Sequence, residues 1–441
     1  MIPGILSYHT TGVYHQKKIA MNSREIMRAA IDHQETERIV LDIGSGPVTG
    51  IHVHALERLR RHYGLEERPV RVIEPYQMLG FVEQDLREVL GIDVVGARAA
   101  NTMFGYYNGP PFKQFRTFWG QDVLVPRGFS EKKDEQGNLL SFPEGDTSVD
   151  PSARMPVAGY FFDAIERQEP IDEESLNVED NLEEFGLFTE ADLEHWKKET
   201  EAARATGCGV MSAPGGTALG DIALVPGMQL KHPRGIRSVA EWYMSILMRE
   251  DYIREVFDRQ SALAVENLAL LYGAIGENID VINICGTDFG TQDSTFCSPE
   301  QFDSLWLPYY KRITDWIHEH TSWKVFKHSC GSVETFMDRF IRAGIDIINP
   351  VQVNAKGMDP EHLKKSYGDD LTFWGGGVDT QHTLPYGTPG EVREQVLRHC
   401  EIFSRGGGFV FNTVHNIQAD VPVENMVAMF DAIQEFNGMK Q

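Results

Sequence analysis

The sequence predicts an α/β protein: a single (β/α)8 barrel with an N-terminal extension and a helical, acidic insertion. Three observations carry that expectation. After Gly207, strands alternate with helices for more than 200 of the 441 residues, the pattern of a parallel sheet, and so long an alternation favours a closed barrel over an open one. The strands are continuous apolar runs, as strands buried on both faces are. Finally, the residues capable of chemistry stand directly after strands, which in a barrel gathers them at one rim.

Taken in order, residues 1–20 lack periodicity and read as an appendage, with a second start at Met21 and a helix capped by Asn22 or Ser23. From Ile39, IVLDIGSG reads as a buried strand entering a glycine loop, and VRVIE (70–74) as another. ALERLRRHYGL between them is an amphipathic helix stopped at Gly64. The stretch from about 100 to 200 changes character, first aromatic and glycine-rich, then acidic. Residues 129–205 are therefore assigned to an insertion that covers a barrel spanning 21–441, with Thr189 capping a helix in its later half. Strands follow in CGVMSAP, IDVINICG, WKVFKHS, DIINPVQ, LTFWGGG and GFVFNT, each leading into a helix; EQFDSLWLPYYKRITDWIHEH reads as one of these.

The composition excludes several classes of function. With 41 Lys and Arg against 65 Asp and Glu, the net charge of −24 repels a polyanion, and no basic stripe offsets it, so no nucleic-acid partner is expected. No apolar run could span a bilayer, and the N-terminus has no signal-peptide pattern, so the expected location is the cytoplasm. Five widely spread cysteines, Cys208, Cys285, Cys297, Cys330 and Cys400, read as free thiols. No P-loop or dinucleotide fingerprint occurs.

The strand-end loops hold Gly286–Asp293, His328–Gly331, Val351–Asn354, Val378–Thr380 and Thr413–Asn416. His328 and Cys330, two apart at a strand end, point to one side and can share a metal. Two ligands do not fill a tetrahedral site, so a third must come from another loop. The candidates are His415, Cys285, Asp288 and Cys297. Asp288 is left unexplained by helix capping, since Ser298 followed by Pro299 caps the next helix, and Asp293 is the other carboxylate of that loop. His52 and His54 also form an H-x-H pair, but helical pitch there would make them diverge.

The succession HSCG (328–331), INPVQ (348–352), FWGGGVDTQHTLPYGTPGEVREQV (373–396) and GGGFVFNTVHNIQADVPVENM (406–426) resembles the uroporphyrinogen decarboxylase superfamily, whose members are (β/α)8 barrels. MNSREIMRAAIDHQETERIVLDIG (21–44) is similar to that superfamily's start, and SPEQFDSLWLPYYKRI (298–313) to its helix before the HxCG strand. The likeness covers roughly 21–100 and 205–437. True uroporphyrinogen decarboxylases carry an arginine-containing segment near the start that binds propionates; here the corresponding VLDIGSGPVTGIHVH (40–54) has no arginine.

The corrinoid-linked branch, similar to methylcobalamin:coenzyme M methyltransferases, has H-x-C-G and a ligand cysteine in the last barrel loop. That loop here reads Thr413-Val414-His415-Asn416, so the resemblance implies zinc on His328, Cys330 and His415. It also implies a methyltransferase working with a corrinoid carried on a separate protein, and a homodimer. With two imidazoles and one thiolate the metal would be the stronger Lewis acid, which favours removal of a methyl group from an ether oxygen over methylation of a thiol. Asp288 and Gln292 are the expected catalytic groups, with Asn354, Asp379 and Tyr106 binding substrate and Phe104 and Tyr107 as further aromatic candidates. A cofactor-free decarboxylase using Asp288 is the alternative, and a barrel that only binds a corrinoid or tetrapyrrole is the non-enzymatic one.

Overall fold

The computed structural model describes residues 21–214 and 217–439; the expected N-terminal extension, 1–20, lies outside them. Eight parallel strands form the barrel: β1 (Val40–Leu41), β2 (Val94–Ala97), β3 (Gly209–Ser212), β4 (Val281–Cys285), β5 (Lys324–His328), β6 (Ile347–Asn349), β7 (Thr372–Trp374) and β8 (Phe409–Phe411). From β2 to β8 each pairs with the next in sequence, and β8 returns to β1 through Val40 beside Val410. The β1–β2 seam is closed differently. The Asp93 amide donates to Leu41 O at 2.8 Å, its carboxylate accepts from Leu41 N at 3.0 Å, and Arg38 holds that carboxylate. A side chain thus supplies the ladder bond that so short a strand lacks.

The barrel interior follows from strand periodicity. Val40, Val94, Met211, Val281, Phe326, Ile347, Trp374 and Val410, one from each strand, pack together with Ile26, Met27, Ala30 and Ile31. Those four residues are the apolar stripe of α1 (Ser23–Ile31), which plugs the N-terminal end of the barrel and starts in a capping box between Asn22 and Glu25. With one end sealed, a cavity can open only at the C-terminal rim.

Three elements differ from the sequence-based expectation. Val70–Glu74 is a strand, but it pairs with Asp122–Val125 and Leu79–Gly80 in a side sheet; the second barrel strand is the four-residue VVGA. Its brevity and its glycine conceal it, yet a Cβ at Gly96 would lie 1.9 Å from Ser45 O, so the close approach of the two loops requires that glycine. Secondly, the helix Glu190–Arg204, assigned by composition to the insertion, packs on β2 and β3 as a wall helix of the barrel. The antiparallel strands Leu139–Ser141, Ala153–Met155 and Asp163–Ala164 form the cover proper. Thirdly, the helix expected after Ser298 is divided into Pro299–Leu305 and Leu307–His320, because Pro308 cannot donate to the ladder and its ring crowds the preceding turn. No described helix is long and apolar enough to cross a membrane.

Candidate metal centre at the barrel mouth

β5 ends at His328, and the chain turns at Ser329–Gly331 across the mouth. Gly331 makes this turn with φ +89°, and a Cβ there would lie 2.3 Å from the Gly290 carbonyl carbon, so only glycine lets the β4 and β5 loops touch. Backbone and side-chain bonds lock the turn. Cys330 N donates to Asp288 Oδ1 at 2.6 Å, Gly331 N to Gln352 Oε1 at 2.8 Å, Phe289 N to Ser329 Oγ at 3.0 Å, and Ser332 N to Thr291 O at 2.8 Å.

The result is a cluster of three donors from two loops. One ligand atom each from His328, Cys330 and His415 lies within 4.8 Å of the others. His328 Nε2 stands 3.2 Å from Cys330 Sγ, close to the roughly 3.5 Å that two ligands subtend on a tetrahedral zinc with ordinary bond lengths. The tautomer is fixed by a chain of bonds. Asn349 Nδ2 donates to Trp374 O at 2.7 Å, which turns Asn349 Oδ1 toward His328 Nδ1 at 2.6 Å. That oxygen accepts, so Nδ1 carries the proton and the Nε2 lone pair faces Cys330. A carbonyl oxygen behind a histidine ligand is what a metal site needs, and the residues fit zinc.

Electrostatics agree with that fit. Burial pushes His328 down to about 4, and His415 also to about 4, His328 adding to the latter shift and Asp288 opposing it. Both imidazoles are therefore neutral ligands at physiological pH. Burial and then the Asp288 carboxylate raise the Cys330 thiol well above its ordinary range. A thiolate there needs a cation beside it, which a metal supplies.

The other site candidates separate into groups. Asp288 joins the cluster as the acceptor that positions Cys330, its own acidity weakened by burial. Gln292, Asn354 and Asp379 form a network along the rim: Gln292 Nε2 donates to Asn354 O at 2.6 Å, and Asn354 Nδ2 to Asp379 Oδ1 at 3.0 Å. Their polar groups brace loops against one another. Asp293 is exposed at the tip of the β4 loop. Cys285 faces the Tyr310 hydroxyl at 3.2 Å and Cys297 is buried in the apolar core; neither enters the three-donor cluster. Tyr106 stacks on Phe104 with centroids 5.9 Å apart, inside the packed interior of the cover, while Tyr107 is 54% exposed.

Two residues that shape the centre, Asn349 and Gln352, escaped the sequence reading as candidates. Their signal is a polar side chain at the end of, or just after, a wholly buried strand. Glu74 is a third. It lines a cleft of about 200 Å³ at the mouth with Ser45, Pro47, Asn101 and Met211, and burial pushes its carboxyl up to about 7. Pro47 of that cleft accepts from Asn416, the residue after His415, at 2.8 Å.

Residues 247–436 match the uroporphyrinogen decarboxylase family. Curated relatives include the uroporphyrinogen decarboxylases of Psychromonas ingrahamii, 32% identical over 18% of this chain and 22% of the relative, and Pseudoalteromonas translucida, 28% identical over 32% and 38%. A third, from Pseudoalteromonas atlantica, is 22% identical over 45% and 58%. The chain thus spans about a fifth to three fifths of these relatives. Among solved structures, a methyltransferase from Methanosarcina mazei superposes with a TM-score of 0.53, at 14% identity, over 94% of this chain and 99% of the other, a likeness of fold. The match takes in β4 to β8 and with them all three donors, so the strand-end cluster lies within the part of the barrel that is similar to the uroporphyrinogen decarboxylase family.

Proposed function

We propose that the chain is a zinc-dependent methyltransferase, moving a methyl group between a small substrate and the cobalt of a corrinoid on a separate protein. Methyl ethers are the favoured donors. The observation that carries this reading is the His328, Cys330 and His415 cluster, with Asn349 fixing the free lone pair of His328 toward it. The fold likeness to a methyltransferase is in keeping with it.

When bound, zinc supplies a Lewis acid that draws charge from the leaving oxygen of the methyl donor. His328 Nε2, Cys330 Sγ and His415 would hold it, with one thiolate charge from the chain and the Asp288 carboxylate close behind. Asn349 keeps the proton of His328 on Nδ1, and Gln352 and Asp288 keep the Cys330 turn in place. The departing oxygen must gain a proton, and Glu74, at about 7 in the mouth cleft, is a carboxyl that can carry one at neutral pH.

The second reading, a cofactor-free decarboxylase, is favoured by the names of the curated relatives and by the buried Asp288. Against it, the loop after β1 offers no arginine to a polycarboxylate, and one oxygen of Asp288 is engaged by Cys330 N. The protein purified from cells decides between them. About one equivalent of zinc, lost in Cys330→Ala together with methylation of added cob(I)alamin by an aryl methyl ether, supports the methyltransferase. Zinc-free protein that releases carbon dioxide from a carboxylic acid substrate overturns it.

A further inference from the structure

Several positively charged side chains gather in a cavity that none of the three donors lines. This cavity of about 410 Å³, in the range of small-molecule sites, opens between β2, the side sheet and the wall helix Glu190–Arg204. Arg71, Arg87 and Arg98 line it with the carboxylate Glu199 and with Lys198, which pairs with Glu194, in a chain of net charge −24. Two of these arginines share one ring: the Arg71 guanidinium carbon sits 3.9 Å and that of Arg98 4.9 Å from the centroid of Phe81.

Several buried arginines of this protein are neutralised by carboxylates, while Arg58 and Arg167 are held by backbone carbonyls. Arg38 holds Asp93, Arg60 holds Asp85 and Arg237 holds Glu184, each through two nitrogens. Among the described residues, Arg71 and Arg98 have no carboxylate within ion-pair distance. Arg71 donates no side-chain hydrogen bond and its Nε is buried without a partner; Arg98 makes one long bond, 3.4 Å, to Gly44 O. Asn108 Oδ1, on the same wall, is also buried and unpaired. Placing like charges together out of water is unfavourable unless a counter-charge joins them. Burial, with Arg71 beside it, brings Arg98 down to about 10, which an anion would reverse.

We propose that this cavity is a binding site for a small organic anion, its phosphate or carboxylate group held by Arg71 and Arg98 and its apolar body lying against Phe81, Phe112 and Tyr107. Two guanidinium groups match such an anion by charge-assisted hydrogen bonds, and the aromatic lining selects a ligand with a ring or hydrocarbon body over a bare ion. The site is separate from the three-donor cluster and stands whether or not that cluster binds zinc.

Phenyl phosphate is the probe. Isothermal titration on the full chain, and on Cys330→Ala, is expected to give the same saturable binding to both, weakened by added salt and stronger than binding of inorganic phosphate. Arg71→Gln and Arg98→Gln should each weaken it about tenfold, the loss of one charge-assisted contact. To keep the test independent of folding in the variants, wild-type protein is also treated with phenylglyoxal: phenyl phosphate should protect Arg71 and Arg98 from modification and leave exposed Arg116 reactive. Absence of saturable binding, binding lost in Cys330→Ala, or modification of Arg71 and Arg98 unchanged by the probe would overturn the proposal.

Discussion

His52-Val53-His54 and His328-Ser329-Cys330 have the same spacing and opposite outcomes. His52 is the N-cap of the helix Val53–His62: its Nδ1 accepts from His54 N at 3.1 Å, and its Nε2–H donates to Tyr160 O at 3.0 Å. Both nitrogens are spent on the backbone, and the second histidine turns away with the helix, stacking with Tyr160. At 328–330 the backbone is a strand end followed by a glycine turn, so the two side chains converge to 3.2 Å. One nitrogen of His328 is fixed by Asn349 and the other left facing the thiol. Spacing names a pair of ligands only when the backbone between them is known, and the free lone pair separates a site from a cap.

The sharpest test removes a donor. Cys330→Ala should lower zinc affinity by about a thousandfold or more, about 4 kcal/mol, in a chelator competition, while His52→Ala leaves the zinc content unchanged. Equal zinc loss in both variants would erase the contrast. Next comes the turn. Gly331→Ala forces a Cβ against the β4 loop at positive φ, and should lower stability in urea unfolding by about 2–3 kcal/mol and reduce bound zinc.

Asn349→Leu retains the strand and removes the acceptor that holds the His328 proton. It should weaken zinc binding by about 10- to 100-fold with little loss of fold. The smallest effect tests the cap. Burial lowers His52 from 6.5 to about 4, so the unfolded chain binds this proton before the folded one does. The stability linked to His52 is whole above pH 6.5 and is lost as pH falls toward 4. By pH 5.5 the wild type should have lost about 1 kcal/mol more than His52→Gln, relative to pH 7.5. Parallel pH curves for the two proteins would remove His52 from the account.

Much of the barrel was legible in the sequence because its later strands are apolar runs punctuated by glycine and followed by capped helices. Ser298 before Pro299, Thr189 with Asp192, and Asn22 with Glu25 all cap where they were expected to. The second strand was not legible: VVGA is short and small, and the more apolar VRVIE nearby belongs to a side sheet. Composition also misplaced Glu190–Arg204, whose acidic outer face resembles an insertion although Trp196, Thr200 and Ala203 are buried against the barrel. Of the expected substrate groups, Tyr106 proved to be core, since an aromatic residue in a glycine-rich stretch reads alike whether it lines a cavity or fills one.

The sequence by itself determined the alternation that makes a parallel barrel, the position of His328 and Cys330 at a strand end, and the glycine that lets their turn form, because each depends on local propensity and periodicity. Only the tertiary structure shows which of His415, Cys285, Asp288 and Cys297 stands beside the pair. Closing the sheet brings the β8 loop over β5, while Cys285 points into the wall toward Tyr310 and Asp288 bends to the Cys330 amide. The same closure left Arg71 and Arg98, distant in the sequence, facing one ring without a counter-charge. Convergence of side chains from separate strands is a property of the closed barrel, and no window of sequence contains it.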